Sequence, residues 1–173
     1  MLTNWRSNQL EIVRYTDSDF AGCQDSMKST SGYIYLLVEG AVFWKNVKQS
    51  LIASSTMIVE FIACYEAPNL KIWLQNFVTR LRILYGVDRL LKLFYDNKST
   101  VLYSNNNRSF TKSKYIDIKF LIVKERVQSG QLSTEHIGTN SMIANLLTKG
   151  LPPKMFHEYV ARMSVVSLKD IQF

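Results

Sequence analysis

Three acidic residues and one amide, far apart in the chain, sit where a hydrolytic site could be assembled. Asp17 falls in Tyr15-Thr16-Asp17-Ser18-Asp19-Phe20-Ala21-Gly22, after an alternating stretch containing Val13 and Tyr15, the pattern of a strand. Glu60 lies inside an apolar helical stretch, Asp96 ends a second apolar strand, and Asn145 opens a third helix-like segment. Carboxylates brought from distant sequence to strand ends and an inner helix face are what divalent-metal phosphodiester chemistry needs, because hard oxygen donors gather such ions. The pattern is nuclease-like, with an amide at one of its four positions. Two acids near a strand end should stop the strand unless a positive group waits for them; a solvated turn is the plainer alternative.

The chain must carry enough apolar residues to hold such a site. Its 173 residues are 47% hydrophobic, sufficient for one core in one domain of common size. Glycine and proline are scarce, 7 and 3, which argues against long low-complexity linkers. No run approaches the ~20 apolar residues of a membrane span, and Met1-Leu2-Thr3-Asn4-Trp5-Arg6 lacks the apolar stretch of a secretory signal. Cys23 and Cys64 have no metal-type spacing, and a reducing intracellular setting is expected.

Charge points to a polyanionic partner. Lys and Arg number 21 against 14 Asp and Glu, a net +7. Between residues 108 and 126 stand Arg108, Lys112, Lys114, Lys119, Lys124 and Arg126, opposed only by Asp117 and Glu125. On a helix, Ile116, Phe120, Val123 and Val127 make an apolar stripe, and Lys112, Lys119 and Arg126 recur every seven residues along its flank. A packed helix with a basic margin suits a nucleic-acid backbone. A membrane surface fits less well, since so narrow a stripe is needed for the core.

The coarse order of elements is alternating. Strands are expected over 11–16, 32–38 and 41–47, the last two joined by a tight turn at Glu39-Gly40. Ser54-Ser55-Thr56 offers an N-cap for a helix from 56, Pro68 breaks it, and a second helix runs to about 84. Then come a strand over 90–95, a short helix from Asn97, the basic helix over 112–128, a strand over 131–137, a short helix over 141–148 and a final helix near 154–163. Hairpin-joined strands followed by helix–strand alternation predict a mixed sheet with helices on both faces.

Taken in order, YTDSDFAG, KSTSGYIYLL, FWKNVKQSLIASST, EF, YDN, SKYIDIKF and LLTKGLP resemble the ribonuclease H domain of copia-type long-terminal-repeat retrotransposon polyproteins, plant elements in particular. The resemblance covers residues 8 to 163. It implies an α/β, ribonuclease H-like fold: a five-stranded mixed sheet, three antiparallel strands first, with helices on both faces. It implies hydrolysis of the RNA strand of an RNA–DNA hybrid with two Mg2+ ions, for which Mn2+ can substitute. By motif, Asp17, Glu60, Asp96 and Asn145 are the metal-binding and catalytic positions, with Asp17 shared between both ions, Glu60 and Asp96 each completing one shell, and Asn145 a weakened fourth ligand. His136, at a predicted strand end, matches the mobile histidine that assists product departure; an ordinary surface or capping histidine is the alternative. For Glu60 the alternative is a surface side chain snorkelling at the core rim, and for Asp96-Asn97 a simple helix cap.

The same comparison implies that residues 1–10 are the remnant of a connection to an upstream reverse transcriptase, 11–150 the ribonuclease H-like domain and 151–173 a C-terminal helical tail. The setting implied is intracellular, in a cytoplasmic virus-like particle or the nucleus, with no membrane partner. Departures from the family pattern are Asn145 where an acid is usual, Ile58 where a second acid precedes Glu60, and Tyr115 in place of a histidine. They leave three readings: a weakened nuclease, a catalytically silent nucleic-acid-binding remnant, and an unselected fragment. The basic flank generates a test of its own. Changing Lys112, Lys119 and Arg126 to Gln should weaken hybrid binding and flatten its salt dependence together, measured as affinity against salt concentration; an unchanged slope places the basic helix away from the ligand.

Overall fold

The computed structural model describes residues 12–23, 25–37, 40–66, 91–105 and 114–165. Among them, strands β1 (Ile12–Cys23), β2 (Lys28–Leu37), β3 (Gly40–Lys48), β4 (Leu91–Tyr95) and β5 (Leu132–His136) form one mixed sheet in the order β3-β2-β1-β4-β5. The β1–β2 and β2–β3 pairs are antiparallel, and β4 lies parallel to both β1 and β5. The five-stranded mixed sheet expected from the motifs is present. The predicted break at Pro68, the helix to residue 84 and the turn residue Glu39 lie outside the described residues.

Strand alternation divides the core between the two faces. Ile12, Tyr33, Tyr35, Leu91, Leu93 and Tyr95 face one side, where α1 (Thr56–Glu66) contributes Phe61 and α3 (Lys114–Gln128) contributes Val123. Ile34 and Leu36 face the other, against Ile143, Tyr159 and Met163. α1 begins where the serine-rich segment suggested: the Ile58 N–H donates to Ser55 Oγ at 3.4 Å. The helix after β4, α2 (Lys98–Asn105), is capped by Asn97, whose Oδ1 accepts from the Ser99 N–H at 2.9 Å. The final helix, α4 (Pro153–Arg162), is seated in the core through Tyr159, and the Ala41 N–H donates to Met163 O at 2.9 Å.

Two expectations need correction, and both concern the site. β1 does not end at residue 16 but carries Asp17 and Asp19 within it, paired to β2 as Asp17↔Gly32 and Asp19↔Thr30. The register breaks only beyond Asp19, where Ala21 adopts φ 52° and its N–H donates to Ser29 Oγ at 3.0 Å. The segment over 141–148 is helical as expected, but as two short 3-10 helices, Thr139–Ser141 and Ile143–Leu147, in place of one continuous helix. Extended Met142 (ψ 91°) separates them, so each closes with short-range bonds such as Asn145 N–H to Met142 O at 3.2 Å.

Gly32 makes this turn possible. A Cβ there would stand 2.8 Å from Leu147 Cβ, 2.9 Å from Thr148 Cγ2 and 3.3 Å from Ala144 O. The turn packs into the space that any other residue would fill, on the sheet face that Asp17 shares with its cross-strand partner. Gly32→Ala should therefore destabilise the fold by about 1–3 kcal/mol through overpacking, measured by denaturant unfolding. An unchanged midpoint would show that the turn yields at no cost.

Candidate active site

Asp17 is 2% exposed in the central strand of the sheet, where an uncompensated carboxylate would be costly to desolvate. Its compensation comes from the turn that Gly32 admits. Thr148 Oγ1 donates to Asp17 Oδ2, and Lys149 Nζ donates to Oδ1 at 3.2 Å. Lys149 is the positive group that lets a strand run through Asp17.

The ammonium of Lys149 gathers more than one partner. It donates to Asn145 Oδ1 at 2.7 Å and stands 3.9 Å from Asp96 Oδ2. Asn145 is buried, and its Nδ2 donates to Thr139 O at 3.0 Å, so its amide oxygen is turned toward Lys149. Asp96 follows directly on β4. The parallel pairing ends at Tyr15 and Phe94, and two residues further along each chain, on the same face by alternation, stand Asp17 within β1 and Asp96 just past the end of β4. The structure thus brings Asp17, Asp96 and Asn145 around one ammonium.

Glu60 arrives from the other side. Its helix α1 packs on the face that holds Arg14, whose Nη2 donates to Ala63 O at 2.7 Å, whereas Asp17 points to the opposite face. Glu60 is 6% exposed, which excludes the snorkelling alternative, and its Oε2 has no hydrogen-bond partner among the described residues. Burial first, and then the charges of Asp96 and Asp17, push its carboxyl up to about 7 against hydrogen bonds from Thr100 and Asn97. Burial and the charge of Asp17 also raise Asp96, against the opposing pull of Lys149 and His136. The three acids feel one another across the open end of β4. Among the described residues, no three His, Cys, Asp or Glu side chains stand close enough to share an ion as they are.

His136 is exposed and pairs with Tyr95 at the end of β5. Its Nε2 lies 3.1 Å from Asp96 O; a carbonyl only accepts, so this nitrogen carries the proton and tethers the Asp96 backbone. Asp19 stays apart from the cluster, its carboxylate folded against Gly22. Of the basic flank, Arg126 lies in the last turn of α3. Arg108 and Lys112 fall outside the described residues, as does the Lys119 side chain. Sequence reasoning missed Lys149, Thr148 and Gly32. The signal available was the spacing of Asn145 and Lys149, four residues apart in Asn145-Leu146-Leu147-Thr148-Lys149.

A mixed sheet in this order, flanked on both faces, with one acid inside its central strand and another just past the end of the neighbouring strand, defines the ribonuclease H fold. Solved structures of that fold superpose on the chain. LC11-RNase H1 in complex with an RNA/DNA hybrid matches with a TM-score of 0.52 and 16% identity, over 79% of this chain and 93% of the other. A foamy viral protease-reverse transcriptase in complex with an RNA/DNA hybrid matches with a TM-score of 0.52 and 12% identity, over 95% of this chain and 22% of the other. No family model matches the chain. In sequence it is 34% identical over 143 residues to the retrovirus-related Pol polyprotein from transposon TNT 1-94 of Nicotiana tabacum, covering 82% of this chain and 10% of the polyprotein. The chain is homologous to stretches of plant retrotransposon Pol polyproteins and carries the ribonuclease H fold, and the copia-type character of its motifs agrees with that kinship. It spans about a tenth of the length of the curated relatives it matches.

The raised carboxyl of Glu60 makes stability depend on pH. Below pH 4.5, folded and unfolded chains are both protonated there, and the burial cost is absent. Between 4.5 and about 7 the unfolded chain releases its proton first, so stability falls as pH rises. The full loss of about 3 kcal/mol is present above 7. Glu60→Gln should remove this slope, measured by denaturant unfolding from pH 4.5 to 8 in a chelator. A slope retained in the variant places its origin in another group.

Proposed function

We propose that this chain is a metal-dependent ribonuclease H that hydrolyses the RNA strand of an RNA–DNA hybrid, working beside a reverse transcriptase within a Pol polyprotein. One observation carries the reading. The protein itself places a cation, the ammonium of Lys149, among the oxygens of Asp17, Asp96 and Asn145, while Glu60 presents a buried oxygen with no partner. The donor set is hard oxygen throughout, which suits Mg2+ and equally Mn2+. Asp17, Glu60, Asp96 and Asn145 would hold the ions. When bound, the ions supply the charge that activates water and stabilises the departing 3′ oxygen.

The chain's own residues divide the remaining work. Asp17, in the middle of the cluster, is the shared anion, with Glu60 and Asp96 flanking it from opposite sheet faces. Asn145 supplies a neutral oxygen held toward the site by its bond to Thr139 O. His136 steadies the Asp96 backbone through Nε2 and is exposed enough to meet the leaving strand. Arg108, Lys112, Lys119 and Arg126 supply phosphate contacts, which fix position and add salt-dependent affinity. The solved neighbours with RNA/DNA hybrid bound support the choice of substrate, and the Pol polyprotein relative supports a place within a longer chain. No helix among the described residues is long and apolar enough to cross a membrane.

A second reading, a silent hybrid-binding module, is favoured by the same Lys149: with Asn145 neutral, an ammonium satisfies much of the site without metal. A hybrid-cleavage assay with and without Mg2+ separates the two. The ribonuclease reading expects weak, metal-dependent cleavage, abolished by Asp96→Asn. Asn145→Asp should raise cleavage at limiting Mg2+, with the gap closing at saturation. In metal-free protein the same change should cost about 1–3 kcal/mol, because it sets a carboxylate oxygen against Thr139 O in place of a donor. Hybrid binding without cleavage at any Mg2+ concentration, in both the wild type and Asn145→Asp, would establish the silent module.

A further inference from the structure

The charge balance of the site does not match two ions. Asp17, Glu60 and Asp96 carry three negative charges when ionised, Asn145 carries none, and Lys149 brings one positive charge into their midst. Three minus one leaves two negative charges, the complement of a single divalent ion. A second divalent ion beside Lys149 would make the cluster positive in a partly desolvated setting, where like charges repel strongly. Position leads to the same conclusion. The ammonium contacts Asp17 and Asn145 within hydrogen-bond distance and touches Asp96 at longer range. The Glu60 oxygen on the opposite face keeps no such partner.

We propose that Lys149 is a built-in cation that stands in one ion's place, so the resting protein takes one divalent ion on the Glu60 side and admits a second only when Lys149 swings out. This rests on the ribonuclease reading and adds to it the order of metal entry. The side chain can leave: it is 39% exposed and hangs from the surface end of the turn after Leu147. Thr148 keeps Asp17 hydrogen-bonded while it does so. Lys149 is thus a positioning residue, competing with a metal rather than meeting the substrate.

Direct ion counting tests this without any substrate. Metal-free protein is titrated with Mn2+, and bound ions are counted by calorimetry and by loss of the free-ion paramagnetic signal. The wild type should bind one ion per chain. Lys149→Met should bind two, the second at least about tenfold more tightly than in the wild type, and Lys149→Arg should stay at one. Two ions of equal affinity in the wild type, or Lys149→Met matching the wild type, overturn the proposal; if that protein still cleaves hybrid, the ribonuclease reading stands. No ion bound by any variant overturns both. Where Lys149→Met does not fold without metal, the wild-type count and Lys149→Arg decide, since two ions in either defeat the competition.

Discussion

A carboxylate in the middle of a buried sheet is the constraint around which this protein is organised. Asp17 cannot be solvated where it stands, so the fold must bring a donor and a charge to it. Both come from one short turn, as Thr148 and Lys149. The turn can reach Asp17 because residue 32, its cross-strand partner, has no side chain. The turn is held from behind by α4, where Tyr159 Oη donates to Asn140 O at 3.2 Å and Arg162 Nη2 donates to Ser141 O at 3.2 Å. A change in α4 far from the acids can therefore alter the charge balance at Asp17.

The geometry of the sheet explains why acids from opposite faces can act together. β1 outruns β4, whose pairing with it stops at Tyr15 and Phe94. Among the described residues no strand pairs with β1 on the β4 side beyond that point, and there the charges of Asp17 and Asp96 reach Glu60 on the opposite face. Burial raises the carboxyls of Glu60 and Asp96, and mutual repulsion across this gap adds to it. Such a cluster attracts cations, whether an ammonium from the chain or an ion from solution.

Asn145 and Lys149 read as one unit in this light. An amide oxygen at residue 145 faces an ammonium four residues on, while its NH2 group serves a backbone carbonyl. An acid at 145 would bind Lys149 more strongly but would lose the bond to Thr139. The amide suits the turn and weakens the site's pull on metal, so local structure and charge have been settled by the same side chain.

Much of the fold was legible in the residues themselves. Alternation located the strands, Ser55 and Asn97 marked helix starts, and the ordered motifs implied the mixed sheet with its three early antiparallel strands. Those signals are local, set by backbone propensity and by which side chains tolerate burial. The candidate acids were legible too, because a carboxylate in an apolar segment is anomalous in any sequence. What the sequence could not reveal was what each buried charge would meet. That β1 runs on through Asp17, that residues 139–147 form two short 3-10 helices in place of one continuous helix, and that Lys149 sits among the acids all depend on contacts across more than a hundred residues. Only tertiary packing, through the space left at Gly32, decides them, since the cost of burying a charge is set by its neighbours in three dimensions.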